Sequence, residues 1–383
     1  MSVDPSNYEG RGPALVKHTF IEKYLPTLIA KIASKYDQFA YVDLFAGPWE
    51  ERTKDFSDTA FGIAFDAMRG AKSVWQKKGR NVEMSAHLVD TSSEAISKQK
   101  WLIERYPDIK VYQYHGKAEE KQADIFKYLP PDAFSFVYID PKGVPDIRKF
   151  KGFIERRNSE VFLNFMFEFA NRFAGTERMP TLEWLTDLGD TEQFRQEISG
   201  LSGEEREHAL TNKARMTLAK MGDFRFSPVI TVDEEHVDRC LYKLIYLSRH
   251  PMGIKVFRDA QRIALETQAA NRTAKKSAVN AARTGMNDLF AQVEPFSQAE
   301  RSAQIVRRGN RAGIERAFEL IEASGARGIK WGDLWPKVLE QMDITQADLG
   351  KAVAEARKSG KLKIPGWGPR IRLPKDEYLL LPV

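Results

Sequence analysis

The chain has 383 residues, 42% hydrophobic and 29% charged, an ordinary soluble balance at a length that predicts two domains. No run of about 18 apolar residues exists, which excludes a spanning helix, and the single cysteine, Cys240, excludes internal disulfides and Cys-rich zinc sites. The net charge of +6 is uneven: residues 251–383 hold 23 Lys and Arg against 15 Asp and Glu, and residues 1–250 hold 36 against 38.

Leu15, Phe20, Tyr24, Leu25, Leu28 and Ile32 recur at helical spacing and predict a first helix over Pro13–Ser34, kinked at Pro26. Phe39–Phe45 reads as a strand, followed by a polar excursion and a helix over Thr59–Met68. Strand and helix then alternate: Met84–Asp90, Ser93–Tyr106, Val111–His115, Ala118–Leu129, Phe134–Asp140, and a fifth strand over Glu160–Phe165. Such βαβα alternation predicts an α/β, Rossmann-like doubly wound sheet with right-handed crossovers. A helical insertion is expected over about 176–222, then two edge strands, Phe226–Val232 and Arg239–Ser248, paired antiparallel.

A helix over Pro251–Gln268 completes a first domain of residues 1–270, and the basic, weakly hydrophobic stretch 271–300 reads as a linker. Residues 301–383 then show helices over Arg311–Ser324, Lys330–Met342 and Thr345–Ser359, the last capped by Thr345 and stopped by Gly360. Leu362–Ile364 and Tyr378–Leu381 flank the turn Pro365-Gly-Trp-Gly-Pro-Arg370, the order of a winged helix. The start, Met1-Ser-Val-Asp-Pro-Ser6, lacks a signal-peptide pattern, so a reducing cytoplasmic location is expected.

Chemistry concentrates at strand ends. The run Tyr41-Val-Asp-Leu-Phe-Ala-Gly47 ends in a compact turn where Phe45, Ala46 and Gly47 let backbone pass close to a ligand, and Asp43 offers a carboxylate for an ammonium. Asp90 closes the second strand, where an acidic residue takes the two hydroxyls of a ribose. His115 and Gly116 follow the third and would line an adenine. Tyr138-Ile-Asp-Pro-Lys-Gly143 is the sharper signal. An aromatic amine is a poor nucleophile because its lone pair is delocalised. Asp140 and the Pro141 carbonyl can accept its N–H bonds and aim the lone pair at a methyl donor, so catalysis is mostly positioning. Lys142 would neutralise a phosphate or carboxylate, or is simply exposed. Each Asp could equally be a capping or turn residue.

In the basic tail, Lys351, Arg357, Lys358, Lys361, Lys363, Trp367, Arg370 and Arg372 fall on the third helix and the wing, the two elements a winged helix lays on nucleic acid. DNA is favoured over RNA, and protein docking is the competing use of that module. No HExxH, Walker loop or GxSxG motif is present, and no metal site is expected.

These residues resemble the three-Cys-motif partner (TcmP) family, commonly found beside phage and mobile-element genes. The resemblance rests on Lys17-His-Thr-Phe-Ile-Glu-Lys23, Tyr41-Val-Asp-Leu-Phe-Ala-Gly-Pro48, Tyr138-Ile-Asp-Pro-Lys-Gly143 and Ser248-Arg-His-Pro-Met-Gly253, and covers about residues 13–265. It implies a Rossmann-like methyltransferase fold using S-adenosylmethionine, and a separate partner with a radical-SAM-type three-cysteine motif. The chain departs from the family pattern at Trp49, where a second glycine is usual and an indole would crowd the methionine end of the cofactor. It departs again around Asp58-Thr-Ala-Phe-Gly62, where a Gly-Ser-Pro is missing. Ordinary amino-methyltransferases carry a second proline and a stacking aromatic where Lys142 and Gly143 stand; Phe165, Phe167 and Phe169 are the candidate replacements. Three functions stay open: a nucleic-acid base methyltransferase, a non-catalytic recruiter of the three-cysteine enzyme, and a metal-dependent nuclease using Asp43, Asp90 and Asp140.

Overall fold

The structure is a computed structural model that describes residues 3–47, 51–143, 145–173, 183–185, 191–235, 239–284, 294–368 and 373–383. Its contacts divide the chain into two compact units, Met1–Arg249 and His250–Val383.

The first unit is mixed α/β. In chain order it runs α1 (Gly12–Ile32), β1 (Gln38–Asp43), α2 (Ala60–Gln76), β2 (Glu83–Asp90), α3 (Ser93–Arg105), β3 (Lys110–His115), α4 (Ala118–Tyr128) and β4 (Phe134–Ile139). It continues with α5 (Lys151–Glu155), β5 (Ser159–Phe165), α6 (Phe167–Phe173), α7 (Thr191–Ser199), α8 (Gly203–Gly222), β6 (Val229–Asp233) and β7 (Cys240–Leu247). The seven strands form one sheet in the order β3-β2-β1-β4-β5-β7-β6. β1 to β5 pair in parallel, and β7 is antiparallel to both β5 and β6. The two edge strands pair as expected. α2 runs on to Gln76, well past the expected end at Met68, because Ala71 still faces the core.

The central strands are nearly continuous apolar runs because helices cover both of their faces. One face is aromatic: Phe162 stacks on Phe20 of α1 at 4.9 Å and on Tyr138 at 5.9 Å between ring centroids. On the other face Val42, Val137, Ile139, Val161 and Leu163 pack with Ile125, Phe153 and Leu218 of α4, α5 and α8. The strand order reverses between β1 and β4, which leaves a crevice outside their carboxyl ends, where open α/β sheets take ligands.

Arg249, from the Ser248–Gly253 motif, is a structural clip. Its guanidinium donates to the carbonyls of Gly222 (3.0 Å), Arg156 (2.9 Å), Arg157 (3.0 Å) and Ile154 (3.1 Å), and lies 4.0 Å over the Phe224 ring. The planar fork satisfies carbonyls at the ends of α5 and α8 together, which an ammonium cannot do. Arg249→Ala is expected to destabilise the protein by about 2–4 kcal/mol, with Arg249→Lys recovering little. Urea unfolding of both variants checks this, and a change below about 0.5 kcal/mol would remove the clip.

The second unit begins with α9 (Pro251–Thr284), followed by α10 (Glu294–Ser324), β8 (Ile329–Lys330), α11 (Trp331–Gln341), α12 (Gln346–Lys358), β9 (Leu362–Lys363) and β10 (Leu379–Pro382). The boundary expected at residue 270 therefore falls inside a helix, and most of the expected linker over 271–300 is helical. The polar composition that suggested a linker does not stop α9, which packs on α10 and α11 of its own unit. Arg258 of α9 caps the end of α11 by donating from Nε to the Leu339 carbonyl at 2.6 Å. Thr345 is the N-cap of α12, its Oγ1 accepting the Asp348 N–H at 3.1 Å. Gly360, at φ +74°, turns the chain out of α12. β9 and β10 pair antiparallel, and β8 adds an unforeseen third strand on the other side of β10.

Among the described residues, no helix is long and apolar enough to cross a membrane.

Candidate cofactor and catalytic site

Two cavities open at the carboxyl ends of β1, β2 and β4, with volumes of about 300 and 380 Å³. The first is lined by Lys17, Asp43, Phe45, Gly47, Tyr138 and Asp140, with Arg11 and Asp58 at its side. The second is lined by Asp90, Gly116, Lys117, Pro141 and Lys142, again with Phe45 and Asp140. Phe45 and Asp140 belong to both, so the two spaces meet at the end of β4.

Parallel pairing makes this convergence. Asp43 sits in register with Leu88 and Tyr138, and Asp140 follows one residue past the end of β4. Two steps before each carboxylate stands a tyrosine on the same strand face. Tyr41 OH donates to Asp43 Oδ2 at 3.0 Å, and Tyr138 OH donates to Asp140 Oδ2 at 2.8 Å. Asp43 Oδ1 also accepts the Phe45 N–H at 3.1 Å. Burial dominates there and raises the Asp43 carboxyl to about 7, against the hydrogen bonds from Phe45 and Tyr41.

Asp140 has the opposite balance. Burial would raise it, but the Lys17 ammonium beside it and hydrogen bonds from Lys17, Asn164 and Tyr138 outweigh that and lower its carboxyl. Lys17 Nζ lies 2.5 Å from Oδ2, and Asn164 Nδ2 donates to Oδ1 at 2.6 Å. The first cavity thus holds two carboxyls pushed in opposite directions, Asp43 upward by burial and Asp140 downward by Lys17.

Asp90 is buried at the end of β2, and its Oδ1 accepts the Ser92 N–H at 2.7 Å. Oδ2 accepts nothing among the described residues, and Asp90 lines the second cavity. Gly116, at φ +139°, turns under Asp90 by donating its N–H to the Asp90 carbonyl at 2.9 Å. A side chain there would strain the backbone and meet Lys121.

Other expected positions lie elsewhere. His115 is exposed, its Nε2 3.0 Å from the Thr91 carbonyl, and it lines neither cavity. Ala46 is buried with both backbone groups engaged: its N–H reaches the Val89 carbonyl at 2.8 Å and its carbonyl accepts from Gln99 at 2.7 Å. It shapes the turn, and its one backbone N–H is taken up by the sheet. Trp49 lies outside the described residues. Of the three candidate stacking rings, Phe165 and Phe167 are buried and Phe169 is exposed. Among the described residues no group of three His, Cys, Asp or Glu side chains is arranged to hold a metal ion.

Tyr41, Tyr138 and Asn164 are the site residues that the motif reading left without a role. The repeated Tyr-x-Asp at both strand ends was visible and marks two of them. Of Lys17, His18 and Lys23, which the sequence places on the first helix toward the site mouth, Lys17 and His18 line the first cavity. Lys23 instead pairs with Glu22 at 3.1 Å. His18 is buried beside Lys17, 2.9 Å from Tyr8 OH; burial first, then the Lys17 charge, lowers it to about 3, so it is neutral. His250 caps the start of α9, its Nδ1 accepting the Met252 N–H at 3.1 Å.

In the second unit, Lys358, Lys361 and Lys363 are exposed, and Lys351 is exposed with its Nζ on Asp348 Oδ1 at 3.1 Å. Trp367 corrects the expectation of a wing-tip contact. It is only 6% exposed, tilts against Tyr378 at 5.8 Å and accepts Arg357 over its ring at 5.2 Å. An indole flanked by glycines gains more from folding back onto its own unit than from facing water. Arg357 is accordingly half-buried, donating to the Trp367 carbonyl at 2.7 Å. Arg370 and Arg372 lie outside the described residues.

No family model and no characterised protein sequence matches the chain. Among solved structures, one described as loganic acid methyltransferase with SAH is similar, at 10% identity and a TM-score of 0.32, covering 70% of this chain and 86% of that one.

Proposed function

We propose that this chain is a three-Cys-motif partner protein whose first unit is an S-adenosylmethionine-dependent methyltransferase acting on amino groups of nucleic-acid bases, with DNA favoured over RNA. The observation that carries this reading is the pair of cavities sharing Phe45 and Asp140 at the strand-order reversal. The residues fit an adenosyl group: Asp90 has an acceptor to spare for a ribose diol, and Gly116 and Lys117 line the space beyond it. Asp43, Phe45 and Gly47 would hold the methionine end. When bound, such a group supplies a methyl on a positively charged sulfur. The protein's part is to hold it and to present an amine through Asp140 and the Pro141 carbonyl. The second unit, read as a winged helix, would grip the polymer through Lys351, Lys358, Lys361 and Lys363. Cytoplasmic location and a three-cysteine partner enzyme belong to the same proposal.

The engagement of Asp140 by three donors favours one second reading, a recruiter that delivers the three-cysteine enzyme without chemistry of its own. Transfer of labelled methyl from S-adenosylmethionine to DNA or RNA by the purified chain separates the two. Label in the polymer supports the enzyme; none, with the partner co-purifying, supports the recruiter.

Because Asp43 must be ionised to pair with a ligand ammonium, affinity for S-adenosylmethionine should fall as the pH drops below about 7. The fall approaches tenfold per unit, roughly 1.4 kcal/mol. Asp43→Asn should bind weakly and flatten the dependence. Calorimetry between pH 5.5 and 8.5 reads both, and a wild-type affinity independent of pH would remove Asp43 from the ammonium.

A further inference from the structure

Lys17 comes from α1, more than a hundred residues before Asp140, yet its ammonium meets that carboxylate inside the first cavity. A carboxylate offers about four acceptor positions. Lys17 and Tyr138 take two on Oδ2, and Asn164 takes one on Oδ1. The three donors belong to α1, β4 and β5, so they fix the carboxylate from three directions. Among the described residues one position remains, on Oδ1, enough for a single N–H.

We infer that Lys17 is a positioning residue for methyl transfer: it locks Asp140 Oδ2 so that the remaining Oδ1 position receives one N–H of the target amine. The inference rests on the methyltransferase reading and assigns the second N–H to the Pro141 carbonyl. Asn164 completes the lock. Its Nδ2 must face Asp140, since a reversed amide would oppose two oxygens, and its own Oδ1 is buried with no hydrogen-bond partner among the described residues. An amide that leaves an acceptor unsatisfied is being spent on orientation.

Other charged and titratable groups face this pair: Arg11, His18 and Asp58 beside Lys17, Asp43 and Tyr41 on β1, and Tyr242 on β7. Lys17 is the cation that contacts Asp140 directly among the described residues.

The test is the pH dependence of methyl-transfer turnover, with calorimetric affinity for S-adenosylhomocysteine, in wild type, Lys17→Met and Lys17→Arg. Lys17→Met should lower kcat by about 10–100-fold and move the acid limb of its pH profile upward, because Asp140 loses its ammonium. Affinity for S-adenosylhomocysteine should stay within about threefold, and Lys17→Arg should restore most of the turnover. Lys17→Gln replaces the methionine variant should that one not fold. An unchanged kcat and acid limb would overturn the inference, as would a loss confined to S-adenosylhomocysteine affinity, which would make Lys17 a cofactor contact. Wild-type protein that binds S-adenosylhomocysteine but methylates no nucleic acid would overturn the underlying reading instead.

Discussion

Asp140→Asn is expected to lower methyl transfer by about 10²–10³-fold while leaving affinity for S-adenosylmethionine within about threefold. The substitution is nearly isosteric, and its amide oxygen can keep the Lys17 ammonium while its NH₂ replaces an acceptor with a donor. A target amine then meets a donor at Oδ1's place, and its lone pair is no longer aimed. Asp140 lies where the two cavities meet and not at the ribose end, so the cofactor loses little. Single-turnover transfer and calorimetry on the same preparation separate the effects. Transfer within about threefold of wild type would take Asp140 out of the mechanism, and a parallel loss of affinity would make it a cofactor residue.

The second large effect concerns the exposed lysines of α12 and the strand after it. Lys358 ends α12, Lys363 lies on β9 and Lys361 on the turn between them, and all three are exposed. Each phosphate neutralised releases condensed counterions, so the affinity of wild type should fall steeply with salt. Replacing all three by Glu should make the log–log salt slope shallower by about 3 and weaken binding at low salt by roughly 100-fold or more. The loss should be similar across sequences, since phosphate contacts position and do not specify. Fluorescence anisotropy at graded salt with unrelated duplexes measures it. An unchanged slope would move the nucleic-acid contact elsewhere and favour protein docking for this unit.

The parallel sheet was legible because β1, β4 and β5 are largely apolar runs, and β1, β2 and β4 end at or next to an acidic residue; Asp43, Asp90 and Asp140 were found that way. Partners distant in the chain were not. No spacing rule links Lys17 to Asp140 or Asn164 to either, since register and crossover decide which side chains meet. Tyr41 and Tyr138 were within reach, because a tyrosine two residues before a strand-end aspartate must share its face. α9 was misread from composition: its polar stretch 271–284 remains helical. Trp367 was misread from its glycine neighbours, which suggested an exposed tip. Its destination was set by Tyr378 and Arg357, a contact between segments that no local pattern announces.

A crystal structure of the protein with S-adenosylhomocysteine tests the shared cavity most directly. Adenosine is predicted between Asp90 and Lys117 with the diol on Asp90 Oδ2, the sulfur beside Phe45 and Asp140, and the amino group on Asp43. The molecule bound away from the ends of β1, β2 and β4, or no binding at millimolar concentration by folded protein, would contradict the account.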